Sequence, residues 1–461
     1  MASTINFKTN SAQLKCLVCI VVLVALMFVK AEAGMKAYIV VTAWGILMWM
    51  FELLPNFIVG LLLPVLYVVL GAANAQTAFS GWLSSTPWTT IGGLMLGTAF
   101  VSSGLVKRIA YKILLLTGGS FRSVIISIAL TCIIITPAIP SVMAKVALIT
   151  PIAIGLCDVL GAEKKSKTAS ALMLAVFYAL WSPKMAFLTA SADSILAADI
   201  LSSTTGVSVT WMGWAKDMFI PAILWTALSV SLVFLIKPDK VKVDKAYVRE
   251  KYEELGAFSQ KEKRVAALGV LLLILLATDS VHNVDAAWIM MFAGCLCFVP
   301  KIGVLEAKDF GKIPFSIVFF LVGAVSIGTV TKSLGIADVV VGYFAELLKN
   351  CSPLMLVLGI YLFSFACVFI LNPLALSGTL MGAVSEVCMS LGYPAVIGGY
   401  AMIMGFNQAI LPYQIAPLMF IYGSGYIKMS HLTKVMAVRL LVGIVFMVAI
   451  TYPYWKMRGL V

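Results

Sequence analysis

The chain has 461 residues, of which 62% are hydrophobic and only 11% are charged, and its mean hydropathy is +1.04. A soluble domain carries about 25% charged residues, so this composition excludes a large soluble α-helical protein and indicates a polytopic membrane protein. The net charge of +13 lies mostly in short loops between apolar runs, which is the positive-inside pattern and not a nucleic-acid-binding surface.

Apolar runs long enough to cross a bilayer, about 20 residues each, recur along the whole chain. Residues 1–34 are either an N-terminal transmembrane helix or a signal-like segment, and we expect a retained helix because further spans follow at once. The later predicted spans are 37–54, 57–71, 88–105, 169–189, 211–236, 265–277, 286–299, 315–333, 395–426 with a break near Pro412, and 434–452, together with hairpins over 124–160 and 354–391.

Two polar breaks interrupt membrane-length apolar stretches at matching places in the two halves. The first, TPAIPSVMAK, covers residues 136–145, and the second, LNPLALSGT, covers residues 371–379. Lipid cannot satisfy open backbone groups, so a broken helix at membrane depth must be buried in protein or line a cavity. Paired breaks of this kind point to the substrate site of a transporter. Each hairpin would present a half-helix N-terminus whose free N–H groups suit an anion.

An internal repeat relates the two halves of the chain. Gly97-Thr98 reappears as Gly328-Thr329, and the same offset carries Ser141 onto Asn372. An inverted arrangement of such repeats places a site near the bilayer midplane. The predicted organisation is a first inverted repeat over 35–236, a cytoplasmic basic linker over 237–264, and a second inverted repeat over 265–461.

Small polar side chains begin the second limb of each hairpin. Ser141 does so in the first hairpin, and Asn372, Ser377 and Thr379 do so in the second. Hydroxyl and amide groups can bind carboxylate or sulfate oxygens without placing a permanent charge in lipid. The alternative for these residues is an N-cap on a kinked helix. We expect all four to contact the substrate.

Two lysines lie at membrane depth close to these breaks. Lys145 follows Ser141 by four residues and so shares its helical face, and Lys184 lies beside a further break. An ionisable group within the membrane is a functional hypothesis by default. The alternatives are a snorkelling side chain or an ion pair with a carboxylate such as Asp158 or Asp193. We expect both lysines to compensate the charge of an anionic substrate.

Residues 411–417, LPYQIAP, interrupt another long apolar run with two prolines, which remove two backbone donors. An unwound segment beside a hairpin tip would complete a substrate or cation site and would place Gln414 in it, whereas the alternative is a plain proline kink. The nine cysteines lie mostly in apolar runs without metal-ligand spacing and are expected to be small core residues. No cofactor or metal is therefore predicted, and Ser141 and Asn372 are only weak candidates for a Na⁺ site.

From about residue 44 onward, the chain resembles the divalent anion/sodium symporter family, especially its branch of dicarboxylate, citrate and oxoglutarate/malate translocators. The similar segments are PSVMAK at 140–145, over the family's Ser-Asn-Thr hairpin motif, MAFLTA at 185–190, LGAFSQKEK at 255–263 and GSGY at 423–426. The resemblance implies an all-α fold of inverted repeats with two re-entrant hairpins and about 11 transmembrane helices. It also implies a homodimer, elevator-type alternating access, and substrate at the two hairpin tips.

The chain departs from the family's pattern at both tips. Val142 and Met143 stand where the motif has Asn and Thr, and residues 372–374 read NPL. The side chains of Val142, Met143 and Leu374 offer no oxygen to Na⁺. The sequence therefore favours an anion exchanger in which Lys145 supplies positive charge, with Na⁺ as the alternative coupling ion.

The predicted function is secondary transport of small anions, most specifically di- or tricarboxylates, across the cytoplasmic (inner) membrane. The partners expected are the anionic substrate, the lipid bilayer and a second copy of the chain, and no nucleic acid. Alternatives are sodium-coupled symport of sulfate or another inorganic oxyanion, and a channel or substrate-sensing receptor on the same scaffold. An enzyme is not expected, because two distant histidines and few intramembrane carboxylates supply neither an activated nucleophile nor a metal cluster.

Overall fold

Helices make up the regular structure of this protein in a computed structural model that describes residues 7–51, 53–117, 119–206, 208–239, 245–336, 342, 346 and 348–461. The all-α fold predicted from the composition is confirmed. The long helices of the first half are Phe7–Met27, Ala33–Phe51, Asn56–Val69, Ser85–Ser103, Leu105–Thr117, Phe121–Ile135, Val142–Val159, Lys167–Trp181, Ala192–Thr205 and Trp211–Ser231. Those of the second half are Lys245–Glu253, Gln260–Ala277, Ala286–Leu296, Ser316–Ser333, Pro353–Cys367, Pro373–Ser390, Ala395–Phe406, Ala416–Gly423 and Met429–Phe446, the last continuing through the π-helical turn Met447–Thr451 into Tyr452–Met457.

Six of the described helical segments are long and apolar enough to cross a membrane, and a bent pair of helices would be a seventh. The bent pair is Ser85–Ser103 and Leu105–Thr117, which meet at 61°. Six further apolar helices have 10–17 residues. Helix length alone therefore identifies fewer crossings than the about 11 expected from the resemblance, because several crossings are divided into shorter helices at breaks.

The ends of the predicted domains fall partly outside the described residues. The segment 1–34 contains the helix Phe7–Met27, but its residues 1–6 lie outside the described part. The basic linker over 237–264 contains the helix Lys245–Glu253 and the start of Gln260–Ala277, while residues 240–244 lie outside. The division into a first repeat, a linker and a second repeat stays a prediction.

Helices of the two halves pack against each other in a reciprocal pattern. Ser85–Ser103 of the first half packs on Ala286–Leu296 of the second, and Ser316–Ser333 of the second half packs on Asn56–Val69 of the first. Each half thus contributes one helix to each crossing. This exchange of partners is what a two-fold relation between the halves predicts.

Glycines at equivalent positions allow these two crossings. A Cβ atom on Gly92 would lie 2.3 Å from the carbonyl oxygen of Met290, and one on Gly323 would lie 2.4 Å from the Cα atom of Gly60. Real Cβ atoms do not approach backbone this closely, so both positions require glycine. Gly92 and Gly323 are separated by the same offset as Gly97 and Gly328, which supports the internal repeat.

Each half contains a helical hairpin close to where the sequence predicts one. The first consists of Phe121–Ile135 and Val142–Val159, and the second consists of Pro353–Cys367 and Pro373–Ser390. In the first hairpin, both limbs pack on the following helix Lys167–Trp181, and Thr131 and Ile149 line the same small cavity. In the second, both limbs pack on the helix that follows them.

Two further helices are broken, and these breaks lie beside the hairpin tips. Lys167–Trp181 ends at Ser182, and the chain continues through two short 3₁₀ turns before Ala192–Thr205 begins. Ala395–Phe406 ends at Asn407, and the helix resumes as Ala416–Gly423. Prolines explain the interruptions, since Pro183 and Pro412 each open a 3₁₀ turn and cannot donate an α-helical hydrogen bond. The structure thus confirms the break predicted near Pro412.

Candidate substrate site

The two hairpin tips and the two helix breaks surround one cavity of about 270 Å³. Its polar lining residues include Ser141 and Asn372 from the tips and Ser191 and Gln414 from the breaks. The sequence predicted that the two tips meet at a shared site, and Ser141 and Asn372 do line the same cavity.

Four helices begin at this cavity. The residues that precede their first turns all line it, namely Ser141, Ser191, Asn372 and Ile415. A helix N-terminus carries free backbone N–H groups and a dipole equivalent to roughly half a positive charge. The four termini point positive dipole ends and free N–H groups at the cavity, and such groups suit an anion. The Asp193 carboxylate, which is paired with Lys184, also lines the cavity.

Ser141 and Asn372 each cap the helix that they precede. The Ser141 Oγ atom accepts a hydrogen bond from the backbone N–H of Ala144 at 3.2 Å, and the Asn372 Oδ1 atom accepts one from Ala375 at 2.9 Å. The oxygen atoms of both side chains thus act as helix N-caps, which was the alternative considered for these residues. The Ser141 hydroxyl hydrogen and the Asn372 Nδ2 group make no hydrogen bond to the described residues, so both donors remain available to the cavity.

Gln414 offers a third donor. Its side chain is buried, and its Oε1 atom accepts hydrogen bonds from the backbone N–H groups of Ile410 and Leu411, both at 2.7 Å. These two bonds orient the amide, because a carbonyl oxygen is needed to accept them. The Nε2 group is buried and has no hydrogen-bond partner among the described residues. A buried polar group without a partner is costly, so this donor is a candidate to bind a substrate. Its contact with substrate stays a prediction.

The positive charge of Lys184 is balanced inside the protein. Its ammonium group forms a buried ion pair with Asp193 and lies 3.5 Å from the centre of the Trp181 ring. Asp193 and Trp181 line the cavity, whereas Lys184 is not among the lining residues. Lys184 therefore forms an ion pair with a carboxylate, which was one of the alternatives considered for the two lysines. The sequence did not identify Asp193 as a cavity residue, although its position just after the first break is a signal that could have done so.

Lys145 lies behind the cavity and contacts the first helix break. Its ammonium group is fully buried and donates a hydrogen bond to the carbonyl oxygen of Ala190 at 3.1 Å. A second hydrogen bond, from Thr189 Oγ1 to the carbonyl oxygen of Pro137 at 3.3 Å, also joins this break to the hairpin tip. Lys145 takes part in none of the ion pairs formed by the described residues. Its compensation of substrate charge stays a prediction.

Ser377 and Thr379 lie further along the second hairpin and do not line the cavity. Their hydroxyl groups donate to backbone carbonyl oxygens of their own helix, those of Pro373 at 3.1 Å and Ala375 at 2.8 Å. This back-bonding is the usual arrangement of hydroxyl residues inside helices. The predicted contact of these two residues with substrate stays a prediction.

The proposed weak Na⁺-site candidates at the tips, Ser141 and Asn372, stay a prediction. Ser141 and Asn372 use their side-chain oxygens for capping, and the residues that follow them supply only apolar side chains, as in Val142, Met143 and Leu374. Among the described residues, no group of three or more His, Cys, Asp or Glu side chains could hold a metal ion.

A helical membrane fold in which paired hairpins and broken helices meet at one cavity is typical of a transporter. The chain belongs to the family described as the sodium:sulfate symporter transmembrane region, whose model matches residues 8–461. The predicted resemblance to the divalent anion/sodium symporter family is thereby confirmed. The chain is a multi-pass membrane protein and a transporter, not an enzyme.

Several known proteins are similar to this chain. A membrane protein of Cupriavidus necator is 25% identical over 83% of this chain and 77% of its own length. The chloroplastic dicarboxylate transporter 1 of Spinacia oleracea is 28% identical, and the match covers 46% of this chain and 38% of that protein. The L-tartrate/succinate antiporter of Escherichia coli is 23% identical over 82% of this chain and 79% of the antiporter.

The fold is also similar to that of a solved transporter. The crystal structure of the YdaH transporter of Alcanivorax borkumensis, described as having an unusual topology, matches with a TM-score of 0.57. The match covers 83% of this chain and 86% of that structure at 15% sequence identity. At this identity, the similarity shows that the two proteins share a fold.

Proposed function

We propose that this protein is a secondary carrier that exchanges small dicarboxylates across the cytoplasmic (inner) membrane by alternating access. The observation that carries the proposal is the convergence of four helix N-termini on one cavity. Four half-charges sum to roughly two positive charges, which matches a dianion. The side-chain donors of Ser141, Asn372 and Gln414 would bind the carboxylate oxygens.

The size of the cavity supports a small substrate. Its volume of about 270 Å³ lies just below the roughly 300–1,000 Å³ typical of pockets for drug-sized ligands. A metabolite with two carboxylates fits this range. The names of two relatives, a dicarboxylate transporter and an L-tartrate/succinate antiporter, support the same class of substrate.

Exchange follows from the fixed charge behind the cavity. Lys145 is buried and has no carboxylate partner among the described residues, so its charge is balanced best when an anion occupies the cavity. Moving an unbalanced buried charge through a bilayer is unfavourable. The loaded carrier would therefore reorient faster than the empty one, and each anion that enters would be matched by one that leaves.

The mode of movement and the assembly are part of the proposal. We infer an elevator-type motion in which the hairpins and broken helices move together, because the cavity is built from all four of these elements. The carrier would be a homodimer, and each protomer would contain two inverted repeats, 35–236 and 265–461, joined by the cytoplasmic linker 237–264. The resemblance to the family supports this arrangement.

Counterflow in proteoliposomes tests the proposal. Purified protein would be reconstituted with unlabelled succinate, malate, oxoglutarate, tartrate, citrate or sulfate inside, and labelled succinate would be added outside. We expect internal dicarboxylate to accelerate uptake with or without Na⁺. Equal uptake into vesicles without internal anion would refute exchange, and the absence of trans-stimulation by every internal anion would instead favour a channel or a receptor.

Sodium-coupled symport of sulfate is the second candidate, because the matching family is named for that activity. It predicts that a Na⁺ gradient drives uptake of labelled sulfate into vesicles that contain no anion substrate. The same vesicles therefore discriminate between the two candidates. Sulfate uptake that required Na⁺ and ignored internal dicarboxylate would establish the second one.

A further inference from the structure

Arg439 is a fully buried cation, and no motif in the sequence marks it. It lies in the middle of helix Met429–Phe446, its exposed fraction is 1%, and none of the ion pairs among the described residues includes it. Its guanidinium group lies 4.7 Å from the centre of the Trp225 ring and 5.1 Å from that of Tyr178. A buried charge without a carboxylate partner must be balanced by other groups.

Neutral oxygen atoms provide that balance. Nη1 donates to the carbonyl oxygen of Asn407 at 3.0 Å and to Gln408 Oε1 at 2.9 Å. Nη2 donates to Asn407 Oδ1 at 2.7 Å and to Ser182 Oγ at 3.1 Å, and Nε donates to Ser229 Oγ at 3.1 Å. We call the four oxygens around Nη1 and Nη2 the oxygen cage. It comes from Asn407, Gln408 and Ser182.

The oxygen cage lies at the ends of both broken helices. Ser182 follows the last residue of Lys167–Trp181, and Asn407 follows the last residue of Ala395–Phe406. A helix C-terminus carries roughly half a negative charge, so two of them balance one guanidinium group. The cage therefore combines oxygens from the ends of both broken helices.

The cage is coupled to the cavity through one pair of residues. Trp181, which lines the cavity, donates from its indole Nε1 to the carbonyl oxygen of Asn407 at 2.9 Å. Asn407 in turn donates from Nδ2 to the carbonyl oxygen of Trp181 at 3.2 Å. Asn407 therefore contacts the cavity wall on one side and Arg439 on the other.

Carbonyl groups at the ends of half-helices are the ligands with which carriers hold a co-transported cation. In this chain, a guanidinium group binds one such carbonyl, that of Asn407, together with three side-chain oxygens close to the two helix ends. We infer that Arg439 is a tethered cation that takes the place of a coupling ion, so that anion exchange needs no dissolved cation. This inference rests on the proposed function. The charge of Arg439 cannot dissociate from the carrier, so it is present in both the inward-facing and the outward-facing state. A carrier that keeps this charge in both states favours exchange of one anion for another.

Chemical rescue tests the role of the tethered cation. In Arg439→Ala, the emptied cage would accept free guanidinium at millimolar concentrations, far below those that denature proteins. We expect a saturable rise in Tm of about 2 °C or more with guanidinium chloride and no such rise in the wild type. We also expect exchange to fall by about tenfold or more and to recover in part when guanidinium is added.

Three further variants keep the test decisive. Arg439→Met fills the space without a charge, so it should lose exchange and should not respond to guanidinium. Arg439→Lys keeps the charge and should exchange faster than Arg439→Met, even if the alanine variant does not fold. Arg458→Ala is the matched control, because Arg458 pairs with Asp217 near the surface, 3.2 Å away, and lies outside the cage.

Two results would overturn the inference. One is exchange by Arg439→Met at the wild-type rate, and the other is a strict requirement of the wild type for Na⁺ when choline or K⁺ replaces it. Failure of the proposed function is distinguishable, because the effect of guanidinium on the Tm of Arg439→Ala is measured without substrate. If the wild type exchanged no anion, that measurement would still report whether the cage holds a cation.

Discussion

The Gln414→Glu substitution is the sharpest test of the candidate site, because it changes one donor and leaves the surrounding fold intact. The carboxylate still accepts the two hydrogen bonds from Ile410 and Leu411, which Gln414 Oε1 accepts at 2.7 Å. The substitution removes the Nε2 group of Gln414, a residue that lines the cavity. This group is buried and has no hydrogen-bond partner among the described residues. Stability should therefore be kept while anion binding is lost.

The expected loss follows from the energy of one charge-assisted hydrogen bond. A hydrogen bond to a charged group contributes about 1.5–3 kcal/mol, which corresponds to a loss of roughly 10- to 150-fold in affinity. The new negative charge adds repulsion of about 4 kcal/mol if it lies 4 Å from a substrate carboxylate at an effective dielectric constant of 20. The Kd for succinate should therefore rise at least tenfold.

Thermal shift and counterflow would be measured on Gln414→Glu and on Gln414→Leu as its matched control. The leucine variant removes the acceptor as well, and leaves the N–H groups of Ile410 and Leu411 unsatisfied at a cost of about 1–3 kcal/mol each. We expect a lower Tm for the leucine variant and a Tm near that of the wild type for the glutamate variant. If Gln414→Glu bound succinate as tightly as the wild type, Gln414 would not be a substrate ligand.

Three other substitutions have equally definite outcomes. Asn372→Asp keeps the helix cap but replaces a donor in the cavity by a negative charge, so counterflow should fall while the Tm holds; unchanged counterflow would contradict the role of this tip. Gly92→Ala places a Cβ atom 2.3 Å from a facing carbonyl oxygen and should prevent folding. A Cβ atom at Gly328 meets nothing within 4 Å, so Gly328→Ala should be tolerated. Size-exclusion chromatography and the Tm of both variants would show the difference. Lys184→Met should lower stability by about 3–5 kcal/mol, because it leaves the buried Asp193 carboxylate unpaired. The double variant with Asp193→Leu should regain much of this stability. Equal Tm values for the single and double variants would contradict a buried ion pair.

Much of the fold could be predicted from the sequence, because it depends on local properties of the chain. With 11% charged residues, the chain has too few charges to solvate a soluble fold of this length, which settles its class. Proline removes a backbone donor wherever it occurs, so the breaks near Pro183 and Pro412 and the proline-containing hairpin tips could be read directly. Pairing these breaks through the repeat also placed Ser141 and Asn372 at one cavity, as the structure confirms.

The partners of the buried polar groups could not be predicted in this way. The sequence predicts the same role for Lys145 and Lys184, but of these two lysines only Lys184 pairs with a carboxylate among the described residues. The turn after its helix break brings Asp193 alongside it. Gln414 was a candidate, yet its free donor became evident only once the bonds to its oxygen were known.

The sequence alone therefore determined the class of the protein, the positions of its helix breaks and the two residues at its tips. The tertiary structure decided which charges are balanced and by what. Arg439 shows the reason, since its bond to Ser182 joins residues 257 positions apart in the chain. Hydrophobic runs and prolines act on their own segment, whereas the balance of a buried charge depends on every segment packed around it.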